Sequence, residues 1–166
     1  MSGAGKMGRT LLDAMDADKY RAITGADSAH EVLSVIRECA DSGIRTKVNC
    51  VLLDANADQI VPLASLAREL PVDVRFIELM PIGCSQGRSG PDCDMALTML
   101  QLLFPDLHRD YKKRGNGPAV YYASSQLKGR IGFIGANSHQ FCASCNRIRL
   151  TSTGLLKPCL CYDGTT

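Results

Sequence analysis

Apolar residues recur three and four apart at Val32, Val35, Ile36 and Cys39 until Gly43 interrupts the spacing. That period sets them on one face of a helix, and Ser28 with Glu31 makes an S-x-x-E capping box that predicts its start. The next segment, Thr46 to Leu53 (TKVNCVLL), is rich in β-branched and apolar residues, as a strand buried on both faces is. Helical spacing returns from Ala57 to Leu70, through Ile60, Leu63, Leu66 and Ala67, and Pro71 closes it. Val72 to Leu79 (VDVRFIEL) then predicts a second strand. Helix, strand, helix, strand in this order implies βα repetition around a parallel sheet, so the fold class is α/β.

After a glycine-rich loop, Pro81 to Pro91, a third helix carries Met95, Leu97, Met99, Leu100, Leu103 and Phe104, and Pro105 breaks it. The alternation ends there. Ala119 to Ala123, Arg130 to Ile134 and Arg147 to Thr151 are short strand candidates between Gly, Asn and Ser turns, which predicts a hairpin-rich extension. The first ten residues, MSGAGKMGRT, are small and polar and are assigned a flexible lead. The chain thus divides into a lead (1–10), a βα part (11–104) and an extension (105–166), with no internal repeat.

Composition narrows the function classes. At 45% hydrophobic and 22% charged, the 166 residues suit a globular protein and exclude disorder as the main state. A net charge of +2, evenly spread, argues against a nucleic-acid-binding face. No apolar run approaches the roughly 20 residues of a membrane helix, and no secretory signal opens the chain, so a cytoplasmic protein without membrane contact is expected.

Cysteine changes the picture, with eight thiols and no Trp. In a reducing compartment, grouped cysteines point to metal or redox chemistry before disulfides. Cys142-Ala-Ser-Cys145 is followed, after thirteen residues, by Cys159-Leu-Cys161. A C-x-x-C turn brings two sulfurs to one metal, and a hairpin over RIRLTSTGLLKP returns a third. Cys159 and Cys161 would face opposite sides of a strand, and Cys159 is the one aimed at the pair. Spacing alone leaves iron–sulfur and structural zinc level, with His139 a spare zinc ligand. Cys39 and Cys50 read as small buried hydrophobes, and Cys84 and Cys93 as incidental. Arg147 and Arg149, two apart, would point the same way from a strand and suit a phosphate-bearing anion. Lys47 by itself is an ordinary surface lysine, and Asn49 and Asn146 could orient ligands or satisfy backbone groups.

The run His139-Gln-Phe-Cys-Ala-Ser-Cys-Asn-Arg-Ile-Arg-Leu150, with Leu155-Leu-Lys-Pro-Cys-Leu160, resembles the C-terminal iron–sulfur motif of the GTP 3′,8-cyclase family of molybdenum cofactor biosynthesis. Lys47-Val-Asn49, Val74-Arg-Phe-Ile-Glu-Leu-Met-Pro81, Arg130-Ile-Gly-Phe-Ile134 and Asp16 to Gly25 resemble that family in the same order. The resemblance implies a radical S-adenosylmethionine (SAM) lyase. Its fold would be the second half of a (β/α) barrel with a C-terminal iron–sulfur extension, and it moves the metal from zinc to [4Fe–4S]. By the same resemblance Cys142, Cys145 and Cys159 would ligate the cluster, leaving one iron open for the purine of GTP. Lys47, Arg147, Ile148 and Arg149 would hold GTP, and Met80 would border the SAM adenine.

The chain departs from that family in having no C-x3-C-x2-C, the triplet that holds the SAM-cleaving cluster, and in carrying Leu11 where the family's Ser-Leu-Asp motif has serine. A fragment or truncated relative is expected, inactive alone, pairing with a missing N-terminal half or with itself. The competing expectation is a small zinc-structured binding module without catalysis.

Overall fold

A computed structural model describes residues 7–82, 85, 87–112, 117–145 and 147–159. The elements begin with β1 (Met7–Leu11), α1 (Ala17–Thr24), α2 (Ala29–Asp41) and β2 (Arg45–Leu52). They continue with α3 (Ile60–Glu69), β3 (Asp73–Glu78), α4 (Cys93–Leu103) and β4 (His108–Asp110), then β5 (Val120–Ala123) and β6 (Arg130–Ile134). A short hairpin of β7 (Arg149–Leu150) and β8 (Leu156–Lys157) follows. The six longer strands form one sheet in the order β1-β2-β3-β6-β5-β4. β1, β2, β3 and β6 run parallel, and β5 and β4 extend the sheet antiparallel. The mixed α/β class with a mainly parallel sheet is therefore as expected.

Alternation along the strands gives the sheet two unlike faces. Val48, Cys50, Leu52, Val74, Phe76, Ile131 and Phe133 share one parity by register and are buried. α2, α3 and α4 pack against β2, β3 and β6, adding Ile36, Leu63, Leu66, Ala96 and Leu100 to the same core. Phe76 and Phe133 stack across neighbouring strands at 5.8 Å between centroids. The opposite parity carries Lys47, Asn49 and Arg75 and then half-buried Val51, Ile77 and Ile134, which corrects the expectation that the Thr46–Leu53 strand is apolar on both faces.

Several local expectations give way to the observed structure. Met7–Leu11 pairs in parallel with β2, so the strand begins inside the stretch assigned to a flexible lead. Pairing with β2, rather than its own composition, makes it a strand. Ser28 occupies the N-cap of α2 but makes no side-chain cap bond, so the capping box is absent. The helix expected from Ala57 starts as a 3-10 turn at Asp54–Gln59 before α3 begins. α1 was not expected; Asp16 caps it by accepting from the Lys19 N–H at 2.9 Å, and Gly25 ends it at φ 75°. Gly129 is required by close approach, because a Cβ there would lie 1.8 Å from the Val72 carbonyl oxygen.

Candidate functional site

The polar face of the sheet is built by one row of residues in register: Asn49 beside Arg75, Arg75 beside Gly132, and Gly132 beside Tyr121. Lys47, one pleat earlier on β2, is only 4% exposed and lies over the Tyr121 ring at 5.6 Å. It is thus no surface lysine. Arg75 is 8% exposed, and its Nε donates to Asn49 Oδ1 at 2.8 Å. Among the described residues no carboxylate pairs with that guanidinium. Gly132 makes the room: a Cβ there would come to 3.0 Å from both the Arg75 and the Tyr121 side chains. The nearly buried Arg75 guanidinium beside the neutral Asn49 amide is a place where an anion would be welcome, since a buried charge is costly without an opposite one.

At the C-terminal ends of the parallel strands a polar network ties the chain together. Asp13 accepts from the Val51 N–H at 2.8 Å, and Asn56 Nδ2 donates to the carbonyls of Asp13 and Val51 at 2.8 and 2.9 Å. Burial pushes the Asp13 carboxyl up, against the opposing bond from Val51. Met80 follows β3, half-buried, its carbonyl accepting from the Ile82 N–H at 2.8 Å and from the Ser85 hydroxyl. Cys93 begins α4 with its thiol pushed up to about 12 by burial and by the neighbouring Glu78. Cys50 is buried in the core, its thiol likewise raised, and neither suits a reactive thiolate.

The cysteine motif lies in the extension. Cys142–Ser144 is a 3-10 turn closed by the Cys145 N–H on the Cys142 carbonyl at 3.2 Å, and both cysteines are exposed thiols. The β7–β8 register sets Arg149 opposite Lys157 and Leu150 opposite Leu156. Cys159, half-buried, follows β8 by two residues. A two-residue strand begins only at Arg149, so Arg147 does not share the strand orientation expected for the pair. Instead its guanidinium stacks on Phe141 at 5.1 Å. Ile148 is 72% exposed and Arg149 half-buried. Asn146, Cys84 and Cys161 lie outside the described residues.

Among the described residues no three Cys, His, Asp or Glu side chains converge on a single metal ion, Cys142, Cys145 and Cys159 included, so neither the zinc module nor the cluster finds its ligands assembled. His139, the spare zinc ligand, is engaged by Asp94 at 2.9 Å. In kind alone, the thiols of Cys142, Cys145 and Cys159 are donors that suit an iron–sulfur cluster. Arg75 and Glu78 are functional candidates that sequence reasoning passed over. The signal was there, as Arg75 and Glu78, charged residues three apart and so on opposite faces of the strand VDVRFIEL.

Residues 72–166 match the family described as Molybdenum Cofactor Synthesis C. The chain is similar to the GTP 3′,8-cyclase of Clostridium perfringens (strain 13 / Type A), 41% identical over 150 residues, covering 90% of this chain and 46% of that protein. It is 40% identical over 159 residues to that of Pelotomaculum thermopropionicum, covering 92% and 48%. With the GTP 3′,8-cyclase of Moorella thermoacetica the identity is 38% over 157 residues, with the same coverage. The chain spans about half the length of these curated relatives.

Proposed function

The chain belongs to the Molybdenum Cofactor Synthesis C family, and on that premise we propose that it is the GTP- and [4Fe–4S]-binding portion of a GTP 3′,8-cyclase acting in molybdopterin synthesis. The observation that carries the GTP reading is Arg75, a nearly buried guanidinium whose described partner is the neutral Asn49. A triphosphate is a natural counter-ion for it, because a forked guanidinium in a low-dielectric wall binds phosphate strongly, and Lys47 would join it as the family resemblance implies. Arg147 and Arg149 would meet the same ligand from the extension, Ile148 lying between them, and Met80 would border SAM at the end of β3. Gly132 leaves room for the Arg75 and Tyr121 side chains, and Lys47 lies over the Tyr121 ring.

Cys142, Cys145 and Cys159 would hold the cluster. Three thiolates on four irons leave one iron open, which supplies a Lewis-acidic site for the purine when the cluster is bound. The chain's own residues bind and orient; none of them is assigned a bond-making step. The 166 residues contain no C-x3-C-x2-C, so on this reading SAM cleavage falls to another part of a longer enzyme. The open sheet would then be part of a (β/α) barrel, with β1, which has β2 as its sole neighbour among the described residues, pairing to strands from that part. No described helix is long and apolar enough to cross a membrane.

Anaerobic reconstitution with iron and sulfide, followed by iron analysis and calorimetric titration with GTP, tests the proposal. Uptake of about four irons per chain, with GTP binding that Arg75→Gln weakens, supports it. Less than about one iron per chain refutes the cluster assignment, and GTP binding indifferent to Lys47 and Arg75 refutes the anion site.

A further inference from the structure

Glu78 ends β3 on the helix-covered face, beside Leu52, and is 4% exposed. Its Oε1 accepts the backbone N–H of Cys93, the first residue of α4, at 3.0 Å and the Ser138 hydroxyl. Its Oε2 accepts the N–H groups of Asn137 at 2.7 Å and Ser138 at 2.9 Å. Two further ties run beside these, from Asn137 Nδ2 to the Leu79 carbonyl at 2.8 Å and between His139 Nε2 and Asp94 Oδ1 at 2.9 Å. Residues 137–139 are thereby fastened to the end of β3 and to the first turn of α4, and Cys142 follows three residues later.

Only a carboxylate accepts four donors without presenting a proton of its own, and a negative charge also suits the N-terminus of α4. An amide in its place would set an NH2 group against N–H donors in a buried site. From this geometry we propose that Glu78 is a positioning residue, which fixes the 137–139 loop and so the direction in which the cysteine turn 142–145 leaves the sheet. Its importance for the cluster rests on the assignment of Cys142, Cys145 and Cys159 as ligands. The clamp itself does not.

The test compares amide hydrogen exchange of the metal-free full chain in the wild type and in Glu78→Gln. Exchange should rise about tenfold at Asn137 and Ser138 and onward through Cys145, as one buried bond network opens, while the centres of β2 and β3 stay protected. Exchange that rises only at 137–138, or nowhere, overturns the proposal. If Glu78→Gln loses protection in β2 and β3 as well, it has unfolded, and the double variant Ser138→Ala/His139→Ala decides instead. That variant leaves the three backbone bonds to Glu78; a rise extending through Cys145 supports the clamp and no change refutes it. After reconstitution, the electron paramagnetic resonance signal of the reduced cluster should broaden and iron retention fall in the variant that folds. A wild-type chain that takes up no iron refutes the ligand assignment, and the exchange comparison then judges the clamp by itself.

Discussion

Acid should unfold this protein through Glu78, and the effect can be sized. Burial raises the carboxyl, but bonds from the Ser138 hydroxyl and the N–H groups of Cys93, Ser138 and Asn137 outweigh it, bringing the group from 4.5 down to about 2. A folded-state value below the unfolded one stabilises the fold above pH 4.5, and that contribution disappears as pH falls toward 2. At about 1.4 kcal/mol per tenfold, the full contribution is roughly 3 kcal/mol, of which about 2 kcal/mol is gone by pH 3. Urea unfolding followed by circular dichroism at pH 7, 5, 4 and 3 measures it, with Glu78→Gln as the comparison. Asp58 and Asp106 are also lowered, by side-chain hydrogen bonds from Lys19 and Ser124 foremost, and Asp13 is raised, but all three are common to both chains. The difference in stability between wild type and variant should therefore shrink by about 2 kcal/mol between pH 7 and pH 3. A difference that does not change with pH would refute the assignment of the charge to this network.

Arg75→Met should cost GTP affinity about tenfold to a hundredfold, the worth of a charge-assisted bond, while leaving the ligand-free chain as stable as before or more so, because it removes a buried charge; calorimetry and urea unfolding check the two halves. Phe76→Ala should lose about 3–5 kcal/mol of stability in urea unfolding, whereas Leu102→Ala, at an exposed position, should stay within about 0.5 kcal/mol. The Asp94 hydrogen bond raises the His139 imidazole above its usual 6.5, so the tie is strongest below pH 6.5 and is lost as pH rises through the raised value; proton NMR titration should show this, and Asp94→Asn should return the ring to its ordinary range.

The α/β class was legible because α2, β2, α3 and β3 each carry a period that burial on a single sheet face enforces. Arg130–Ile134 coincides with β6 at both ends, being bounded by Gly129 and Gly135. β1 was not legible: a strand beginning Met-Gly-Arg-Thr has little preference of its own and forms by pairing with β2. Nor was the lost capping bond at Ser28, whose backbone sits at φ −126°, ψ 19°, outside the extended form a capping residue takes. The short β7 likewise left Arg147 stacked on Phe141 instead of aligned with Arg149.

For the site, the sequence by itself determined the chemistry on offer: three cysteines at C-x-x-C and hairpin spacing, two neighbouring arginines, and a motif order resembling one enzyme family. Only the tertiary structure decided which charges matter. Lys47, ordinary in the chain, becomes nearly buried beside Tyr121, and Arg75 meets Asn49 across two strands. Glu78 reaches loop atoms some sixty residues away. Spacing along a chain fixes which side chains share a face, but burial and the number of donors around a charge depend on strand pairing and on what packs above it. Those set the energies, and they exist only once the sheet has formed.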